Sequence, residues 1–293
     1  MDERDGLAER FEAQRGQLRA VAYRMLGSLS EADDVVQEAW LRLDRVDADD
    51  VDNLAGWLRT VVTRLCLDAL RSRRSRREDL TDQRAFDEVR HAGAGGDPAD
   101  EALLADSVGR ALLVVLDTLQ PAERVAFVLH DLYAVPFEQI APIVERTPVA
   151  AKKLASRARR KVRGVPAVPP AVVASHRRVV SAFLAAARAG DLDGILAVLA
   201  PDVVRRADPA ALPPGAAAEV RGARAVADGT VALAGRSRFA ELALVDGAVG
   251  VVVAPRGRLL FALTFTVEGS RIAGYDVIAD PARLRQLDLA VLD

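Results

Sequence analysis

Residues 135–163, VPFEQIAPIVERTPVAAKKLASRARRKVR, constrain the fold more than any other stretch. Apolar residues recur at helical spacing on both sides of a break: Phe137, Ile140, Ala141 and Val144, then Ala151, Leu154, Ala155, Ala158 and Val162. Thr147 followed by Pro148 reads as an N-cap with proline at the first helical position. The spacing therefore predicts two short helices joined by a tight turn. From residue 146 to residue 163 every charge is basic: Arg146, Lys152, Lys153, Arg157, Arg159, Arg160, Lys161 and Arg163. Lys152, Lys153, Ser156 and Arg160 share one side of the second helix. Such a helix fits the major groove of DNA. Thr147, Val149, Lys152, Lys153 and Ser156 lie near its start, where base edges are approached. Arg157, Arg160 and Lys161 lie where phosphates run. The competing reading is a basic amphipathic helix that binds RNA or an acidic protein. Pro142 falls inside the expected first helix, and Glu145 stands at a turn position that often holds glycine.

The formal net charge of the whole chain is only −2, so no global field favours nucleic acid and the patterning carries the information. Residues 7–29 have helical apolar spacing through Leu7, Phe11, Leu18, Val21, Met25 and Leu26. Ser30 reads as the N-cap of the next helix, with Glu31, Asp33 and Asp34 in its first turn. Val35, Val36, Ala39, Trp40 and Leu43 form the apolar stripe of that helix, and acids dominate through Asp52. The sign then inverts. Residues 53–77 carry Arg59, Arg64, Arg71, Arg73, Arg74, Arg76 and Arg77 against Asp68 alone, with Trp57 on the apolar stripe. An acidic and a basic helix side by side suggest two surfaces for two partners.

Residues 81–100 are polar and glycine-rich, as in a flexible linker, and a helix is expected from about 100 to 119. A second helix starting at Pro121 should bury Val125, Val128, Leu129 and Leu132. Residues 164–170, GVPAVPP, read as a stiff linker. Beyond it, residues 175–204 read as two helices and residues 223–234 as another. Four strand-like runs over 239–280 then follow, separated by Asp246-Gly247, Pro255-Arg256-Gly257 and Glu268-Gly269. The last residues, from Pro281, form a short amphipathic segment. Helices before a meander predict an α+β domain.

The single cysteine, Cys66, excludes a disulfide framework and suits a reducing cytoplasm. The acidic start lacks the apolar core of a signal peptide, and no run approaches a membrane span. No paired acid and base or metal cluster stands out, so neither a catalytic residue, a metal nor a cofactor is expected. The groups expected to face a pocket in the last domain are Arg205, Asp208, Tyr275 and Asp276.

Three segments, ADDVVQEAWLRL, GWLRTVVTRLCLDALRSRR and VPFEQIAPIVERTPVAAKKLASRARRKV, in this order and spacing, resemble the extracytoplasmic-function sigma factors of the sigma-70 family. The C-terminal α+β part resembles a SnoaL-like, NTF2-like domain. The resemblance implies a multidomain chain: two all-α sigma domains, region 2 as a helical bundle over 1–80 and region 4 as a helix-turn-helix over 106–164. A flexible linker at 81–105 would join them. A proline-rich linker at 165–173 would lead to a SnoaL-like regulatory domain at 174–293.

The resemblance also implies roles. Asp33, Asp34, Gln37, Glu38 and Leu41 would bind the β′ clamp helices of core RNA polymerase, with the β flap as a further contact. Arg64, Asp68, Arg71, Arg73 and Arg74 would melt and read the −10 promoter element. Thr147, Val149, Lys152, Lys153, Ser156, Arg157 and Arg160 would bind the −35 element. The C-terminal domain leaves room for a small ligand, and a separate anti-sigma partner stays open. The chain departs from the extended pattern where a glycine-rich motif is replaced by RADP at 206–209, and where a terminal Asn-Pro motif becomes ADPARL at 279–284. The other readings are a free-standing helix-turn-helix regulator, and a SnoaL-like enzyme with a DNA-binding extension.

Overall fold

The computed structural model describes residues 3–46, 53–79, 109–212 and 215–292. The linker expected at 81–105 lies outside them. The chain forms two compact units. The first comprises Met1–Val108 and Leu116–Arg160, the second Gly109–Val115 and Lys161–Asp293.

The first unit is helical. Helix α1 spans Glu3–Leu26, α2 Leu29–Leu43 and α3 Leu54–Asp79. Ser28, not Ser30, caps α2: its Oγ accepts the Glu31 N–H at 3.4 Å, and its backbone is extended while Ser30 is already helical. The signal was a Ser-x-x-Glu capping box starting two residues earlier. Asn53 starts α3 in the same way, its Oδ1 accepting the Gly56 N–H at 2.9 Å. Tyr23, Met25, Leu43, Leu58 and Leu67 fill the core between these helices. Val35, Trp40 and Trp57 are only half-buried, at the rims of their stripes.

Helix α4 spans Arg110–Asp117, so the described part of the helix expected from residue 100 begins at Arg110. Helix α5, Pro121–Phe127, starts on Gln120 with proline at its first position and runs into a π-helical turn, Val128–Leu132. That turn rotates Leu132 outward to 38 % exposure, whereas Val125, Val128 and Leu129 are buried. Helix α6, Phe137–Ile140, is a single turn, and α7 spans Pro148–Arg163.

The second unit carries helices α8, Pro170–Ala189, α9, Leu192–Val198, and α10, Ala223–Ala232, with a seven-stranded sheet. Its strands are β1 Leu199–Ala207, β2 Glu219–Arg221, β3 Ala240–Val245, β4 Ala248–Val253, β5 Phe261–Glu268, β6 Arg271–Ile278 and β7 Leu289–Val291. Their order is β2-β1-β6-β5-β4-β3-β7. All neighbours are antiparallel except β1 and β6, which pair in parallel with a register shift between Leu199 and Val204. The β3–β6 meander follows the expected alternation. Residues 199–204, expected to continue a helix, are instead the start of β1. The tail is a short helix, Pro281–Leu284, followed by β7.

The proline linker is shorter than expected and docked. Helix α8 already starts at Pro170, and the Ala167 N–H donates to the Gly247 carbonyl at 2.8 Å. Gly247 sits at φ 76°, and a Cβ there would lie 2.9 Å from the Ala167 nitrogen. The β3–β4 turn needs glycine both for its left-handed backbone and for the linker pressed against it.

Candidate nucleic-acid interface

Helix α7 begins as its sequence requires. The Thr147 Oγ1 accepts the Ala150 N–H at 3.2 Å, and Pro148 occupies the first turn. Ala151, Ala155, Ala158 and Val162 are buried, with Leu154 half-buried. Thr147, Val149, Lys152, Lys153, Ser156, Arg157 and Arg160 are all exposed, so the structure brings the expected set to one solvent face. Val149 is 68 % exposed at the helix start. An apolar side chain among polar groups at that position suits the methyl group of a thymine. Arg159 is not on this face: its guanidinium holds Asp131 at 2.6 Å, and that hydrogen bond keeps it firmly protonated.

The preceding turn accounts for both irregularities of the sequence. Helix α6 ends at Ile140, so the exposed Pro142 lies in the turn and breaks no helix. The Arg146 N–H donates to the Ala141 carbonyl at 3.0 Å and closes the turn. Glu145 adopts φ 56°, the left-handed conformation that usually favours glycine. Its carboxylate stands 3.5 Å from Arg71 of α3. Arg59 of α3 also donates to the Gln139 side chain at 3.1 Å. Both pairs are exposed and individually weak.

On α3 the expected basic set divides. Arg64, Asp68, Arg71 and Arg74 are exposed. Asp68 reaches Arg71 only at 3.8 Å, one helical turn away. Arg73 is turned inward, donating to the Leu26 carbonyl at 2.9 Å and pairing with Glu31. It joins three helices, and its guanidinium is engaged within the protein. A basic run on a helix necessarily wraps around it, so one of its arginines met the neighbouring acidic helix instead of solvent.

On α2, Asp33, Asp34, Gln37 and Leu41 are exposed and Glu38 is half-buried. Asp33 pairs with Arg19 at 2.7 Å and Glu38 with Arg42 at 3.0 Å. Leu41 is 46 % exposed. Beside them a cavity of about 350 Å³ opens between α1 and α2, with Phe11, Gln37 and Trp40 among its walls. The Phe11 and Trp40 rings lie 4.9 Å apart there. An apolar notch of this kind beside the exposed acids of α2 can take a large side chain of a partner.

Sequence reasoning missed Arg124 altogether. It is buried in the first unit, with Nη1 3.3 Å from Asp117 and Nη2 donating to the Arg24 carbonyl at 3.4 Å. Arg24 in turn donates to the Tyr133 hydroxyl at 2.8 Å. Burial pushes the nearby Cys66 thiol up to about 12, although Arg124 acts against the shift, so the cysteine is an inert core residue.

In the second unit the four expected pocket groups separate. Arg205 and Tyr275 are register partners on β1 and β6 and face the same cavity. Asp276 alternates to the opposite face of the sheet. Asp208 accepts the N–H groups of Ala279 and Asp280, each at 3.0 Å, and pairs with Arg283. Burial alone would raise its carboxyl. The two N–H groups and Arg283 outweigh that and hold it below the usual carboxylate range. The two stretches that depart from the extended pattern, around Asp208 and Asp280, thus meet and lock each other. Among the described residues no cluster of His, Cys, Asp and Glu could hold a metal, and no helix is long and apolar enough to cross a membrane.

Comparison with known proteins matches the family model for Sigma-70 region 2 to residues 10–76 and that for Sigma-70, region 4 to residues 109–162. The chain is 42 % identical over 254 residues to the ECF RNA polymerase sigma factor SigJ of Mycobacterium tuberculosis, covering 83 % of this chain and 80 % of the relative. It is 40 % identical over 208 residues to the probable ECF RNA polymerase sigma factor SigI of the same species, covering 71 % and 72 %. Among solved structures, the crystal structure of M. tuberculosis SigJ aligns at 32 % identity over 94 % of this chain and 97 % of that one, with a TM-score of 0.46.

Proposed function

The chain belongs to the extracytoplasmic-function sigma factors of the sigma-70 family, and from that premise we propose how its surfaces divide the work of initiation. Members of this family are not enzymes: they bind core RNA polymerase and promoter DNA and direct promoter-specific initiation. In this chain the N-terminal end of α7 reads the −35 element. Lys152, Lys153 and Ser156 approach base edges, Val149 meets a thymine methyl, and Arg157 and Arg160 hold phosphates. The exposed face of α3, through Arg64, Asp68, Arg71 and Arg74, captures the opened −10 strand. Capturing unstacked bases offsets the few kcal/mol that unstacking costs. Arg73 is left out of this set, because its guanidinium is engaged by Leu26 and Glu31. The acidic face of α2 docks on the β′ clamp helices, and the β flap makes a second contact.

The observation that carries this reading is the exposed, acid-free basic face of α7, in a chain that also carries helices α2 and α3 of opposite sign. The test is run-off transcription with core polymerase in the cytoplasmic range of salt. Lys153→Ala should weaken use of the −35 element by about 1–3 kcal/mol. If promoter preference stays unchanged, Lys153 contacts no base. A free-standing regulator would instead bind DNA without polymerase and initiate nothing.

The C-terminal domain modulates this activity and holds a small ligand. The support is the docked linker leading out of α7. Gly247→Val should displace residues 165–168 from the β3–β4 turn, because the added Cβ meets the Ala167 nitrogen and the Val165 carbonyl at 2.9 and 3.0 Å. Promoter-directed transcript from the full chain should then change. An unchanged yield from a variant whose linker is released, as read by amide exchange at Ala167, would sink the regulatory role.

A further inference from the structure

Helices α8 and α10 and the inner face of the sheet enclose a cavity of about 320 Å³ in the second unit. That volume is at the small end of ligand sites. Its walls are mostly apolar, with Leu263, Val251, Val253 and Phe261 of the sheet facing Val226 of α10. Strand register explains why: Val251 pairs with Leu263 and Val253 with Phe261, so alternate residues of β4 and β5 reach the same side.

Few polar groups line it, and they are not balanced in charge. Among the described residues Arg205 of β1 is the only charged one in the lining, and no Asp or Glu accompanies it. Among the described residues its guanidinium makes one hydrogen bond, to the Ala217 carbonyl at 3.3 Å, and no ion pair. A planar fork with five donors is therefore only partly used. Beside it, the buried Tyr275 hydroxyl lies 3.2 Å from the Thr230 hydroxyl. Burial pushes the Tyr275 phenol above its ordinary value, with Thr230 and the Arg205 charge acting against the rise. The Thr230 hydroxyl donates to the Val226 carbonyl at 2.8 Å, so the Tyr275 hydroxyl donates to Thr230 and stands as a neutral group next to a cation. The rings of Phe183, Phe265 and Tyr275 pack within 5.7 Å of one another and fix the phenol in place.

We infer that this cavity binds a small apolar monocarboxylate, its carboxylate on Arg205 beside the Tyr275 ring, its hydrocarbon body against Val251, Val253 and Leu263. A lone cation at a mostly apolar cavity selects an anion, and a guanidinium matches a carboxylate in two parallel hydrogen bonds. The apolar volume selects a body of a single ring or a short chain over a sugar or nucleotide. The assignment deepens the ligand-bearing role given to the C-terminal domain above. Binding and transcription are measured separately, so the two readings fail separately.

The test uses calorimetric titration of the full-length protein with octanoate and, in parallel, 1-octanol. Octanoate should bind at least about tenfold more tightly than the alcohol, as expected for a charge-assisted pair. Arg205→Met should remove that preference while leaving 1-octanol affinity unchanged. Leu263→Trp should fill the cavity and abolish binding of both, with an unchanged circular dichroism spectrum. Equal affinity for acid and alcohol in the unaltered protein, or a preference that survives Arg205→Met, overturns the proposal. So does an absence of octanoate binding up to millimolar concentration. Should Leu263→Trp fail to fold, the Arg205→Met comparison decides alone. Octanoate that binds through Arg205 yet leaves run-off transcript unchanged upholds the site and counts against the regulatory reading.

Discussion

Arg124→Ala is expected to destabilise the helical unit by about 3–5 kcal/mol. The residue is 2 % exposed and holds Asp117 and the Arg24 carbonyl at once. Truncation leaves a carboxylate and a carbonyl without this donor and opens a cavity in the core. Arg124→Lys keeps the charge but not the fork, so it should recover only part of the loss. The two units need not unfold together, so a global signal would mix two transitions. Here the composition helps. Both tryptophans, Trp40 and Trp57, lie in the first unit, so tryptophan fluorescence during urea unfolding reports that unit alone. A midpoint shift equivalent to less than about 1 kcal/mol would show that Arg124 is replaceable packing and not a joint. The same measurement tests the link through Arg24 to Tyr133, since Tyr133→Phe removes one half-buried hydrogen bond and should shift the midpoint far less.

What the sequence revealed follows the range of the interactions concerned. The meander was legible because alternation and glycine-bearing turns are local, and β3 to β6 pair with sequence neighbours. Strand β1 was not. Leu199 follows directly on helix α9 with no turn residue between them, Pro201 interrupts its alternation, and its main partner β6 lies far along the chain. Its identity as a strand is a tertiary fact. The exposed basic face of α7 was legible because capping, apolar stripe and charge coincide on one helix. The orientation of the individual α3 arginines was not legible. Nothing in SRRSRR distinguishes Arg73 from its neighbours until Glu31 and the Leu26 carbonyl are brought beside it. Glu145 shows the converse. Its position in the turn was readable, but its left-handed backbone and its approach to Arg71 were not. Pro142 looked like a flaw only because α6 was drawn longer than its single turn.

Gly250→Ala should cost the second unit about 3 kcal/mol, the upper part of the range for overpacking a core. Gly250 lies in the middle of β4, paired to Ala243 of β3 and Thr264 of β5. Its φ is ordinary, so backbone freedom is not the issue. An added Cβ would stand 2.6 Å from the Leu263 carbonyl oxygen and 2.7 Å from the Val245 Cγ2. The valine methyl could rotate away. The carbonyl cannot, because it is backbone of a strand paired on both sides, and moving it disturbs strand pairing. Gly229→Ala provides the contrast. Gly229 lies in α10 with open space where a Cβ would go, so alanine there should stabilise by up to about 1 kcal/mol through helix propensity. Calorimetry separates these effects from the first unit: the shifted transition should be the one without a tryptophan signal. Because Leu263 and Val251, next to the clash, also wall the cavity, Gly250→Ala should weaken octanoate binding as well as lower the transition. A variant that melts lower yet binds octanoate with unchanged affinity would show that the cavity wall is held by α8 and α10 more than by the sheet.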